Sequence, residues 1–150
     1  MKQIKVRNRQ RRFPVHSPAI RQAATILMAE LLPVDSYDLM LLFVNETRMA
    51  ELNQHHLHHV GPTDIITFDY STPTLLHGEL VICPAVASAH AKKYRVSLGR
   101  EYARYLIHGV LHLRGHDDQK SAASRRMKTE ENRLLRQLAR RILLDSLAHG

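Results

Sequence analysis

Apolar and charged residues alternate over Ile4-Lys5-Val6, the period-two pattern of a short edge strand. From Ser17 onward the period lengthens. Ile20, Ala24, Leu27, Met28 and Leu31 recur at steps of three and four, which predicts a helix to about Leu32. Ser17 is placed to cap that helix with Pro18 at its first position, and Pro33 ends it. Tyr37 to Val44 is a near-continuous apolar run, read as a buried strand. Asn45-Glu46-Thr47 opens a short helix to about Asn53, and Gln54 to Pro62 reads as a His-rich loop. Thr63 to Tyr70 carries Ile65, Ile66, Thr67 and Phe68, a strand composition, and Thr72-Pro73 marks a turn. Gly78 to Cys83 is another apolar strand, stopped by Pro84. Ala85 to Tyr94 and Leu98 to Leu113 read as helices, the second burying Leu106, Val110 and Leu113. Ser121 to Leu147 reads as a last helix.

About four strands and five helices result, not in strict alternation. The expectation is an α+β domain over residues 1–150, with one mixed four-stranded sheet and helices packed against it. An apolar fraction of 44% in 150 residues suffices for one core. No repeat, low-complexity block or membrane-length apolar run is present. No signal-peptide-like stretch follows the basic residues up to Arg12, and Cys83 is the only cysteine, which together suggest a cytoplasmic setting.

Charge changes the picture. Lys and Arg total 22 against 14 acids, a formal net charge of +8 and a pI near 10.1. Such a balance points to a polyanionic partner, RNA or DNA before an anionic membrane. Aromatic residues are only 5%, without Trp, so phosphate contacts rather than base stacking would dominate. Arg126, Arg133, Arg136 and Arg140 fall on one stripe of the last helix, beside an apolar stripe of Met127, Leu134, Leu138 and Ile142. They are candidate RNA-binding residues, and Lys2, Lys5, Arg7, Arg9, Arg11 and Arg12 could extend the basic surface.

The chemistry concentrates in residues 108–118. His108 and His112 are one helical turn apart on the same face, a spacing that can hold zinc. Gly115 can adopt positive φ and turn the chain sharply, so that His116, Asp117 or Asp118 could supply a third ligand. Three protein ligands and an open fourth position make a catalytic layout, here at the end of a central helix.

This segment resembles the YbeY family of metal-dependent endoribonucleases, whose pattern reads H-G-x-L-H-L-x-G-[YH]-D-H; ten of the eleven positions match. Leu52-Asn53, Pro62 to Phe68, Gly78 to Ile82 and Arg100-Glu101 are similar to further family elements in the same order. The resemblance spans roughly Asp38 to Asp118. It implies a zinc-dependent, single-strand-specific endoribonuclease acting in ribosomal RNA maturation and ribosome quality control, with ribosomal RNA or the small subunit as partner. It implies one Zn2+ held by His108, His112 and Asp118. His116 and Asp117 are then candidates for proton transfer, and His116 is the rival third ligand.

Two departures matter. The family's third metal-binding His falls at Asp118; a carboxylate can bind zinc, but adds negative charge and widens the metal choice toward manganese. The family's Arg between L-N and P-T falls at Leu57, removing a charge that could contact phosphate. The alternatives are a catalytically weakened RNA- or ribosome-binding factor and a hydrolase of another class, such as a peptidase. Gly109 stands where a His-Glu-x-x-His protease keeps its general base, which argues against the peptidase. The loop His55-His56-Leu57-His58-His59 reads as a solvated polar loop that could also bind metal loosely.

Overall fold

Tyr37, Leu39, Leu41 and Phe43 are buried, while Asp38, Met40 and Leu42 between them keep partial exposure. A strand with this alternation sits deep in one core on one face and is only half covered on the other. In the computed structural model, which describes residues 1–57, 63–116 and 120–149, it is the second of four strands. These are β1 (Lys2–Asn8), β2 (Tyr37–Phe43), β3 (Ile65–Asp69) and β4 (Leu76–Ile82), in spatial order β1-β2-β4-β3. β1, β2 and β4 run parallel, and β3 pairs antiparallel with β4 as a hairpin closed at Thr72 and Leu75. The sheet is mixed, as expected, and β1 is an edge strand.

Among the described residues five α-helices complete the fold: α1 (Ser17–Ile26), α2 (Glu46–Leu57), α3 (Pro84–Tyr94), α4 (Leu98–Leu113) and α5 (Ser121–Arg141). α4 lies on the inner face of the sheet. Its Tyr102, Leu106, Val110 and Leu113 join Leu39, Leu41, Leu80 and Ile82 in the main core. α2 covers part of the outer face, where Met49 and Leu52 meet Ile66 and Val81 in a smaller core. The α+β architecture expected from the sequence is the one observed.

Element ends differ from the sequence reading for local reasons. Ser17 does not cap α1. It is the first helical residue, and His16 takes the cap position without a side-chain hydrogen bond. Tertiary contact fixes this end instead, because the His16 N–H donates to Leu147 O at 2.9 Å. Pro33 does end the helix, but the chain first widens over Leu27–Leu31 into a turn closed by Leu32 N–H to Leu27 O. Gln54 to Leu57 extend α2 rather than opening a loop; His56 packs edge-on against Phe68 at 5.1 Å, which holds the added turn to the sheet. α5 stops at Arg141, not Leu147. Ile142 is extended, and Leu144–Ala148 form a short 3-10 turn whose Leu144 and Leu147 are buried in the main core.

Candidate active site

Helix α4 begins with Ser97 accepting a hydrogen bond from the Arg100 N–H at 3.1 Å. It ends at Leu113 with Arg114 in the C-cap position, after which Gly115 adopts φ +94°. Gly115 N–H bonds His112 O and His116 N–H bonds Leu111 O, both at 3.0 Å. This paired closure needs a left-handed residue, and it reverses the chain directly after His112. The turn predicted from Gly115 is therefore present.

A second glycine sets the depth of the helix. A Cβ at Gly109 would stand 2.7 Å from Leu80 Cδ2, so the bare backbone lets α4 press onto β4 between the two histidines. His108 faces α5, where Glu131 meets it, and His112 stands one turn on beside it.

The two imidazoles converge. His108 Nε2 and His112 Nε2 are 3.2 Å apart. Two nitrogens bound at about 2.0–2.1 Å to a tetrahedral zinc would be about 3.3–3.4 Å apart. The pair fits such an ion on geometry, and the donor type fits it chemically. His108 Nδ1 lies 2.9 Å from Glu131 Oε2, on α5. The Glu131 side chain is only 3% exposed. With Nδ1–H donating to this carboxylate, Nε2 is the nitrogen presented to the site.

Glu131 was not anticipated. Its signal was an acid on the apolar stripe of α5, one turn after Met127 and among Leu134, Leu135 and Leu138, all buried. Burial pushes its carboxyl pKa up, but His108, Lys128 and Arg104 outweigh this and hold it below the usual 4.5. Arg104 Nη1 and Lys128 Nζ stand 3.5 and 3.6 Å from its Oε1. Arg104 is in turn gripped by Glu101 through Nε and Nη2 at 2.8 and 2.9 Å. A chain of alternating charge, Glu101–Arg104–Glu131–His108, thus backs the histidine pair. Beside it His90 Nδ1 meets the Tyr105 hydroxyl at 3.0 Å, and Asp64 Oδ2 stands 4.0 Å from the same nitrogen.

Glu101 carries a pH prediction. Burial raises its pKa, yet the Arg104 hydrogen bonds and charge leave it below the usual 4.5. A depressed folded value contributes stability that is complete above the unfolded pKa and is lost as pH falls through the folded one. Unfolding free energy should therefore drop below about pH 4.5, and Glu101→Gln should be less stable at neutral pH with a shallower acid limb. Chemical denaturation between pH 3 and 7 reads this; identical acid limbs for the two proteins would contradict it.

Among the described residues no group of three or more His, Cys, Asp or Glu is placed to hold a metal. The expected ligand Asp118 and the expected proton-transfer residue Asp117 lie outside the described residues, as do His58 and His59. The side chain of Leu57, which ends α2, lies outside them too. His116 is half-buried on the α5 side. Glu130 is held below its ordinary pKa first by Arg133, with His116 and Arg114 adding to the effect.

The arginine stripe is only partly a free surface. Arg126, Arg136 and Arg140 are exposed, whereas Arg133 is half-buried and paired with Glu130. Arg140 lines a recess with Arg100 and Arg141, far along α5 from Glu131. Ile142, expected on the apolar stripe, falls beyond the helix.

Against known proteins, the family model described as endoribonuclease YbeY matches residues 5–139. The relative from Chlorobium luteolum, named endoribonuclease YbeY, is 30% identical over 138 residues, covering 92% of this chain and 99% of its own. The one from Geobacter metallireducens, with the same name, is 30% identical over 146 residues, covering 91% and 96%. A Thermotoga maritima protein solved in solution shares the fold with a TM-score of 0.67 at 20% identity, over 92% of this chain and 90% of that one.

Proposed function

The chain belongs to the endoribonuclease YbeY family, and from that premise we propose that it is a zinc-dependent endoribonuclease cutting single-stranded RNA. Its proposed setting is the cytoplasm, in maturation and quality control of ribosomal RNA on the small subunit. No helix among the described residues is long and apolar enough to cross a membrane. The observation that carries the reading is the convergence of His108 and His112 Nε2 at 3.2 Å, with His108 Nδ1 tied to buried Glu131.

In this reading His108, His112 and Asp118 hold the ion. When bound it supplies Lewis acidity toward a phosphoryl oxygen and lowers the pKa of water. Glu131 fixes the ring of His108 and keeps its proton on Nδ1. His116 and Asp117 move the proton to and from the reacting oxygens. With Leu57 where the family carries Arg, cations elsewhere must neutralise the substrate phosphate. A peptidase of the His-Glu-x-x-His type is disfavoured because Gly109 stands where its general-base carboxylate would be, on a backbone pressed against Leu80.

The test is metal content with RNA cleavage, for wild type, Asp118→Ala and His116→Ala. About one zinc per chain is expected in wild type. It should be lost in Asp118→Ala, and retained in His116→Ala with slower cleavage of an unstructured RNA. Zinc lost in His116→Ala instead would make His116 the ligand. RNA affinity that survives chelation, without any metal-dependent cleavage, would establish the weakened RNA-binding factor in place of the nuclease.

A further inference from the structure

Residues 1–29 hold seven cations, Lys2, Lys5, Arg7, Arg9, Arg11, Arg12 and Arg21, and no Asp or Glu. They carry seven of the eight net positive charges, while the rest of the chain nearly balances at 15 cations against 14 acids. Six of the seven lie on or just after β1. The parallel register sets Lys5 beside Met40 and Arg7 beside Leu42. Because Leu39 and Leu41 point into the main core, Lys5, Arg7, Met40 and Leu42 point to the other face, away from α4 and its histidines. There Arg7 and Arg9 from the β1 side and Arg48 from α2 wall a groove of about 500 Å3, floored by Met40, Leu42 and Val44. Glu79 is the acid lining it, and Arg48 also pairs with Glu51 at 3.1 Å.

Guanidinium groups match phosphate in a two-pronged hydrogen-bonding geometry. The floor is aliphatic, without an aromatic platform for bases. Walls of this kind suit the sugar-phosphate backbone of a flexible strand, whatever its sequence. We propose that this groove is a second RNA contact, holding phosphodiesters of the substrate strand on the sheet face opposite the His108–His112 pair. The proposal rests on the nuclease reading for the identity of the polyanion. A domain of this length is roughly 40 Å across, so only a long strand engages groove and histidines together. A short oligonucleotide reaches one of them.

The test is binding of fluorescently labelled, unstructured RNA of about 5 and about 30 nucleotides, titrated across salt, by wild type and by Arg7→Gln/Arg9→Gln. Both arginines are exposed, so the variant should keep the wild-type fold by circular dichroism. For the long RNA its affinity should fall roughly fivefold or more, and the slope of log affinity against log salt should shrink by about 1.4, the release expected for two single-strand phosphate contacts. Affinity for the short RNA should fall by a smaller factor. Arg21→Gln/Lys92→Gln removes the same charge outside the groove and should leave the slope close to wild type. Unchanged affinity and slope in the groove variant would overturn the proposal, as they would if the groove took an acidic protein. Equal losses in both variants would also overturn it. Cleavage by wild type, followed in parallel, separates the two ideas. A wild type that cuts RNA beside a groove variant that binds normally sinks the groove alone. A wild type that never cuts, beside a groove variant that loses binding, sinks the nuclease alone.

Discussion

His112→Ala should abolish measurable RNA cleavage, with a loss of at least about 100-fold in kcat/KM, while leaving the protein folded. A metal centre contributes several kcal/mol to transition-state stabilisation, and each 1.36 kcal/mol is tenfold in rate. His112 is one of the two converging donors, so its removal halves the described part of the site. Its ring is half-buried at the last turn of α4, and alanine is a strong helix former. Stability should therefore change by less than about 1 kcal/mol. The measurement is single-turnover cleavage with zinc supplied, beside a thermal melt. Cleavage within a few-fold of wild type would remove the histidine pair from the chemistry. A collapsed melting temperature would make His112 a structural residue.

Glu131→Ala should cost about 3 kcal/mol of stability, from breaking a buried ion pair. The carboxylate is 3% exposed and faces His108, Arg104 and Lys128 together. Without it Arg104 keeps its two bonds to Glu101, which places the loss at the low end of the 3–5 kcal/mol range for such breaks. Three kcal/mol is a large share of the 5–15 kcal/mol that holds a domain together. A purely structural role would end there. A positioning role adds a second effect: zinc affinity should fall about 10–100-fold, because the His108 ring loses the acceptor that fixes its proton and angle. Glu131→Gln keeps an amide oxygen able to accept from His108 Nδ1, so it should recover part of both losses. Competition with a zinc chelator, read for all three proteins, separates the roles. Wild-type zinc affinity in Glu131→Ala would leave Glu131 as a stabilising residue only.

The sequence made the histidine pair legible because helical spacing alone forces positions 108 and 112 onto one face, and Gly115 then announces the turn. The strands were legible from composition, and β1 as an edge from its alternation. What stayed hidden depends on contacts distant in sequence. Glu131 follows His108 by 23 residues, and nothing local to either says that α5 will lay its acid against α4. The start of α1 and the early end of α5 were misread for the same reason. Both are fixed by Leu144–Ala148 docking into the core, which local propensity does not register. The added turn of α2 depends on His56 finding Phe68 across the sheet edge. Charge gave the right quantity without the place. The excess of cations was visible, but the register of β1 on β2 was needed to put Lys5 and Arg7 on the face away from the histidines.

The docking of residues 144–148 also orders the assembly of the domain in time. The backbone of Leu147 receives the first amide of the α1 helix end, and Leu144 packs into the same core as α4. During synthesis the chain can form the β3–β4 hairpin and α4 early, since their contacts are local. The seal at His16 has to wait for a segment more than a hundred residues downstream, whereas the acid that orients His108 follows it by 23 residues. Long-range closure of this kind is the slow component of folding. The nascent protein therefore carries its histidine pair before it carries the group that aligns it.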